Sequence, residues 1–253
     1  MSGALFIVGL GPGSAELQTP EASSALAAAS DLVGYAPYVA RVPERPGQRR
    51  HLSDNRAEIA RARHALELAA AGRRVAIVSS GDAGVFAMAS AVFEALETGE
   101  PGWRRIRVKV VPGISAMFAA AAAVGAPLGH DFCALSLSDN LKPWDLVLHR
   151  LRAAAQADFV LALYNPLSRA RPWQLGQAFD LLRTLKPAAT PVIFATAISR
   201  PEEAIDILPL GQADPARADM RTLVIVGSSS TRLIARDGAA PWVYTPRATT
   251  AVS

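Results

Sequence analysis

A single cysteine, Cys133, is all that the 253 residues contain. No disulfide framework within one chain and no cysteine-built zinc site is therefore open to them. Set in the apolar run Phe132-Cys133-Ala134-Leu135, it reads as a small core residue. Histidine is also scarce: His51, His64, His130 and His149 are scattered, without the HxxxH spacing of a metal pair, so no metal site is expected. Lysine is limited to Lys109, Lys142 and Lys186, so nearly all of the 26 basic residues are arginine. The arginine fork suits carboxylates and phosphates. A polycarboxylate substrate and a nucleic acid both fit it, and arginine-biased coding would produce the same excess. Aromatic residues make up 6% and are not interleaved with the basic ones, as single-strand nucleic-acid binding would favour. No long hydrophobic run exists: the longest, 117–128, is interrupted by Gly125 and Pro127 and is too short to span a membrane. The segment 1–10 enters an apolar strand without a basic region before it, unlike a signal peptide. These absences lead to the expectation of a cytoplasmic protein with neither nucleic-acid nor membrane partner.

What is present is apolar and patterned. Half of the residues (51%) are hydrophobic and 19% charged, with a net charge of +4, enough to bury a real core. Strand-like and helix-like runs alternate in the first half: strands at 5–8, 31–35, 74–78 and 106–111, helices at 20–29, 56–71, 85–96 and 115–124. Thr19-Pro20-Glu21 reads as a helix start and Asp54 as a cap for the helix at 56–71. That βαβα order predicts a parallel sheet with helices on both faces and ligands at the carboxyl ends of its strands. Gly125-Ala126-Pro127-Leu128-Gly129 reads as a linker. Beyond it, strands are expected at 132–137, 159–163, 191–195, 204–208 and 222–226, with helices at 144–155 and 173–185. The last three strands follow one another with little helix between them, which predicts a mixed sheet. The expected class is thus α/β with two domains, 1–124 and 125–253, the first sheet mostly parallel and the second mixed, with an active-site cleft between them.

The loops after these strands carry the chemistry. Val8-Gly9-Leu10-Gly11-Pro12-Gly13 has the spacing GxGxG, contains a proline and meets a helix only near Pro20. A dinucleotide site needs GxGxxG opening directly into a helix, so this is a tight turn that lets backbone approach something. Asp31 lies at a ribose-binding distance from it but reads better as the start of a strand. Ser79-Ser80-Gly81-Asp82-Ala83-Gly84-Val85-Phe86 joins small hydroxyls, glycines and a carboxylate, and Asp82 could accept a ligand hydrogen bond or cap the next helix. Val111-Pro112-Gly113-Ile114-Ser115-Ala116 ends at a helix start, where Ser115 and free amides could hold a carboxylate. Tyr164-Asn165-Pro166 ends a strand, and Asn165 before proline is expected to be extended. Thr196-Ala197-Ile198-Ser199-Arg200 and Val226-Gly227-Ser228 close later strands similarly. The run Arg41, Arg45, Arg49 and Arg50 could fold over a polycarboxylate or be a solvated face.

In this order, the motifs 8–13, 80–86, 111–116, 164–166 and 196–200 resemble those of the tetrapyrrole methylases across nearly the whole chain. Three further segments, Val33-Gly34-Tyr35 with Tyr38, Ser53-Asp54-Asn55-Arg56, and 125–132 running into 136–144, are similar to the branch that methylates precorrin-3B at C17. The resemblance implies two α/β domains, a homodimer, S-adenosyl-L-methionine as cofactor, and methylation coupled to contraction of the macrocycle, giving precorrin-4. It implies cofactor contacts from Pro12, Gly81, Asp82, Val85, Phe86, Ser115, Ala116, Tyr164 and Asn165, with Gly227 joining them. Ring contraction needs a general base and a donor to the leaving carboxylate. The polar candidates are Asp54, Arg56, His130, Asp131, Asp139, Asn140 and Lys142. Of these Asp139 is the first choice as base, with Lys142 or Arg56 holding substrate carboxylates. The alternatives are the cobalt-bearing substrate of the anaerobic route, a methylase of the same fold acting on RNA or protein, a nucleotide-binding module without turnover, and a nicotinamide oxidoreductase. The Pro12 loop argues against the last.

Overall fold

The structure, a computed structural model, describes residues 3–54, 57–168 and 171–248. Its contacts divide the chain into two units, Met1–Ala116 and Met117–Ser253. The division falls after the first residue of a helix.

The first unit holds β1 (Ala4–Gly9), α1 (Pro20–Ala28), β2 (Asp31–Tyr35), α2 (Ala36–Val39), β3 (Arg49–Ser53), α3 (Glu58–Ala70), β4 (Arg74–Ser79), α4 (Met88–Thr98) and β5 (Arg107–Val111); α5 (Ala116–Val124) begins at its end. Its five strands are all parallel, in the order β3-β2-β4-β1-β5. Side chains alternate across the sheet as the strand period requires. Leu5, Ile7, Val33, Val75 and Ile77 pack with Leu66 of α3 and Val92 of α4. Val8, Leu32, Ala76, Val78 and Val111 pack with Ala22 and Leu26 of α1 and Val39 of α2. Thr19 Oγ1 accepts from Ala22 N, capping α1 as the Thr-Pro start predicts. The chain crosses from β1 outward to β2 and β3 and returns through β4, so strand order reverses between β4 and β1. Open α/β sheets bind ligands at the carboxyl ends of strands at such a point.

The fold departs from expectation at two places. Asp54 does not cap α3: the helix starts at Glu58, its N-cap is Ala57, and the Asp54 carbonyl, not its carboxylate, accepts from Ala57 N and Arg61. Part of the arginine-rich loop is strand β3, whose Arg50 donates to the carbonyls of Val39 and Val42 and so braces α2 and the residues just after it.

The second unit adds β6 (Gly125–Ala126), β7 (Phe132–Ser136), α6 (Trp144–Gln156), β8 (Val160–Tyr164), α7 (Gln174–Arg183), β9 (Pro191–Thr196), β10 (Ala204–Pro209), β11 (Thr222–Val226), β12 (Arg232–Arg236) and β13 (Ala239–Tyr244). Its main sheet, β10-β9-β11-β8-β7, is mixed: β7 and β8 are parallel, and the other neighbours antiparallel. Leu161, Leu163, Phe194 and Val224 cover one face with Leu151 of α6 and Phe179 of α7. The Phe179 and Phe194 rings meet edge to face at 5.9 Å. The first two residues of the expected linker form β6, which pairs in parallel with β13 in a small sheet, β12-β13-β6. Among the described residues no helix is long and apolar enough to cross a membrane.

Candidate functional site

Three loops converge at the carboxyl ends of β1, β4 and β5, where strand order reverses. Gly11 and Gly81 exchange backbone hydrogen bonds of 3.1 and 2.9 Å, and both take positive φ (70° and 67°), which glycine adopts without penalty. Gly9 and Gly113 touch the same point. A Cβ on Gly113 would lie 2.3 Å from the Gly81 carbonyl oxygen and 2.8 Å from Gly9 backbone. Gly113→Ala is therefore expected to cost about 1–3 kcal/mol in a urea unfolding experiment on the first unit. An unchanged midpoint would mean that the three loops do not lock together.

Arg41, half-buried, straps this junction. Its guanidinium donates to the Leu10 and Gly11 carbonyls at 3.2 and 3.0 Å and to Ser80 Oγ at 3.0 Å. Asp82 turns inward: Oδ1 accepts from Gly84 N at 2.7 Å and Oδ2 from Gly113 N at 3.0 Å. It does not cap α4, which begins at Met88 and whose first amide donates to Ser79 Oγ at 3.2 Å. Pro12 is buried beside Gly11, and Ser115 is buried just before Ala116 opens α5. Phe86 takes φ 51° and is 50% exposed, an aromatic ring presented by a left-handed backbone next to Val85. The structure thus brings Pro12, Gly81, Asp82, Val85, Phe86, Ser115 and Ala116 to one end of one sheet.

The remaining expected residues lie in the second unit. The Tyr164 hydroxyl accepts from Met117 N at 3.2 Å, tying the end of β8 to the first turn of α5. Asn165 is not extended: it takes φ 51°, and its Nδ2 donates to Ser136 Oγ at 2.9 Å. The proline ring disfavours right-handed helix at the residue before it, and asparagine is among the residues that tolerate the left-handed region taken here. Gly227 does not join these two. β11 runs antiparallel to β8, with Val224 opposite Leu163 and Val226 opposite Leu161. Gly227 follows Val226 and pairs with Pro191 at the start of β9, about 13 Å along the sheet from Tyr164. The residues that do share the Tyr164 end are Ser136, Thr196 and Thr222, the last two hydrogen-bonded through their hydroxyls at 2.7 Å.

Of the expected catalytic residues, Arg56 lies outside the described residues. Asp139, in the loop after β7, has its Oδ1 occupied by Arg171 and by Gln174 Nε2, the latter at 2.7 Å. A general base must offer a free oxygen to the proton it takes, and this arrangement commits one of the two. Lys142 is held below its ordinary range by burial first and by the nearby Arg150 second.

Residues 4–214 match the tetrapyrrole (corrin/porphyrin) methylases. The chain is a member of that family. The methylase is 58% identical to the precorrin-3B C(17)-methyltransferase of Sinorhizobium sp over 247 residues, covering 98% of this chain and 97% of that protein. It is 43% identical to a probable cobalt-factor III C(17)-methyltransferase of Salmonella typhimurium, covering 90% of this chain and 93% of the other. The crystal structure of the methyltransferase CobJ superposes with a TM-score of 0.92 at 54% identity, covering 97% of this chain and all of that one.

Sequence reasoning missed two cations of the methylase that organise its loops. Arg41 stood in a run that read equally as solvated, and only the fold brings it against carbonyls 28 to 31 residues earlier in the chain. Arg171 carried no motif of its own. Its partners Asp139 and Asn140 come from a loop 31–32 residues before it, which parallel pairing of β7 and β8 places alongside.

Proposed function

We propose that this methylase transfers the methyl group of S-adenosyl-L-methionine to C17 of precorrin-3B, with contraction of the macrocycle to precorrin-4, as a cytoplasmic homodimer. The observation that carries the reading is the 58% identity, end to end, with an enzyme named for that reaction. The 43% identity with a cobalt-factor III relative makes the cobalt-bearing substrate the second reading.

The first-unit loops suit the cofactor. Phe86 offers a half-exposed ring for a planar base. A Cβ on Gly81 would stand 3.7 Å from Ala116 N, so glycine there keeps the α5 N-terminus approachable. The positive dipole end of that helix suits the carboxylate of a methionyl group. When bound, the sulfonium supplies an activated methyl group that leaves a neutral thioether behind. The chain's residues then contribute position rather than acid–base chemistry to the transfer. Gly9, Gly11, Gly81 and Gly113 fix the loop junction, Asp82 and Arg41 hold it closed, and Ser115 and Ala116 present the helix start. Ring contraction additionally needs a group that takes the proton of a tertiary hydroxyl as the lactone carboxylate leaves.

Transfer of an isotope-labelled methyl group from S-adenosyl-L-methionine to precorrin-3B tests the reading. A light-scattering mass equal to one chain would contradict the dimer.

A further inference from the structure

We propose that Arg171 is a carboxylate-binding residue for the acidic macrocycle, and that Asp139 is a positioning residue acting through Arg171. This rests on the proposed function and adds a binding subsite to it.

Arg171 is built into place rather than left on the surface. Its backbone N–H and carbonyl both pair with Ser168, at 3.0 and 3.1 Å, which fixes where its side chain starts. One guanidinium amino group donates to Asp139 Oδ1 and the other to Asn140 Oδ1. Gln174, the first residue of α7 and 2% exposed, donates its Nε2 to the same Asp139 oxygen at 2.7 Å. Both loops and a buried amide are thus spent on aiming one cation. A guanidinium has five N–H donors in a planar fork. Asp139 and Asn140 take one from each amino group, and the Arg171 side chain remains 25% exposed. The fork that remains matches a carboxylate in bidentate geometry.

A second observation marks the place as a ligand site. Gln174 Oε1 is buried and has no hydrogen-bond partner among the described residues. Buried acceptors in native proteins are nearly always paired, and a pyrrole N–H or hydroxyl of the substrate would supply the missing donor. Beside it, Trp144 and Trp173 meet edge to face at 5.0 Å, and Trp144 Nε1 is anchored on Gln177 Oε1 at 2.6 Å. Trp173 is 39% exposed, two positions along the chain from Arg171. A cation, an orphaned acceptor and an indole ring together suit a flat macrocycle fringed with acidic side chains.

The test compares wild type with Arg171→Gln, Arg171→Lys and Asp139→Asn. Precorrin-3B turnover is measured in each, and binding of uroporphyrin I, a stable acidic macrocycle, is followed by fluorescence. Affinity for S-adenosylhomocysteine reports that each variant is folded. Arg171→Gln is expected to raise the precorrin-3B KM, and to weaken uroporphyrin binding, roughly 10- to 100-fold, with kcat within about threefold of wild type and cofactor affinity unchanged. Arg171→Lys recovers part of the loss. Asp139→Asn raises KM by a smaller factor and leaves the pH profile of kcat as it was. Wild-type KM and uroporphyrin affinity in Arg171→Gln would overturn the proposal. So would an Asp139→Asn variant with unchanged KM that has lost kcat together with the acid limb of its pH profile, since that is the behaviour of a base. A wild type that leaves precorrin-3B unmethylated, yet binds uroporphyrin through Arg171, would end the substrate reading and keep the subsite.

Discussion

Asp31→Ala is expected to destabilise the first unit by about 3 kcal/mol, near the lower end for breaking a buried ion pair. The Asp31 side chain is fully buried at the start of β2, whereas its partners Arg73 and His51 keep 31% and 26% of theirs exposed and regain some water when freed. Arg73 NH1 donates to both carboxylate oxygens, at 2.9 and 2.8 Å. His51 Nε2 lies 2.9 Å from Oδ1, and Ser30 Oγ donates to Oδ2 at 2.7 Å. His51 Nδ1 in turn meets His64 Nε2 at 3.0 Å, so one carboxylate links β2 to edge strand β3, to α3 and to the turn before β4. A fall in the melting temperature of roughly 6–12 °C corresponds to that loss. A change under about 1 kcal/mol would place the network among surface ion pairs of little consequence.

The same group gives a pH dependence with a definite sign. Burial alone would raise the Asp31 carboxyl, but hydrogen bonds from Arg73, His51 and Ser30 outweigh it and hold the group below its ordinary 3.8. A carboxyl lowered in the folded state contributes stability that is present above its unfolded value and is lost as pH falls through the folded one. Wild type is therefore expected to lose stability on acidification below about pH 4. Asp31→Asn, less stable at neutral pH, should show a flatter limb there.

Asp82→Ala is expected to weaken cofactor binding roughly 30-fold or more and to cost about 2 kcal/mol of stability. The carboxylate accepts from two backbone amides on different loops, Gly84 and Gly113, and removing it frees both at once. Asparagine keeps one carbonyl acceptor, so Asp82→Asn should recover part of both losses. Calorimetry with S-adenosylhomocysteine and urea unfolding measure the two effects. If Asp82 acted by touching the cofactor, its removal would cut affinity without moving the unfolding midpoint.

The elements that were legible from sequence are those whose side chains report burial. β2 and β11, apolar at nearly every position, and α1, with Thr19 and Pro20 at its start, sit where apolar runs and start signals put them. Strand β3 was not legible, because Arg-Arg-His-Leu-Ser is an edge strand held by backbone pairing and carries no apolar alternation. β12, exposed at every residue, and the two-residue β6 fail for the same reason. The glycine loops of the site were legible because close backbone approach demands glycine at fixed places. What they do was less so. Asp82 spends one oxygen on Gly84 of its own loop and the other on Gly113 of the loop after β5. The displacement of Gly227 from Tyr164 follows from strand direction, which no local motif encodes. Arg41 and Arg171 gain their roles from partners far along the chain, so spacing holds no trace of them.

C17 methylation is tested most directly by a single incubation of the purified protein with precorrin-3B and S-adenosyl-L-methionine carrying a carbon-13 methyl group. The product would be read by mass spectrometry, absorbance and carbon NMR. One labelled methyl group is expected, located at C17, with loss of the lactone spectrum. An unlabelled macrocycle, with labelled product formed only from the cobalt-bearing substrate, would contradict it.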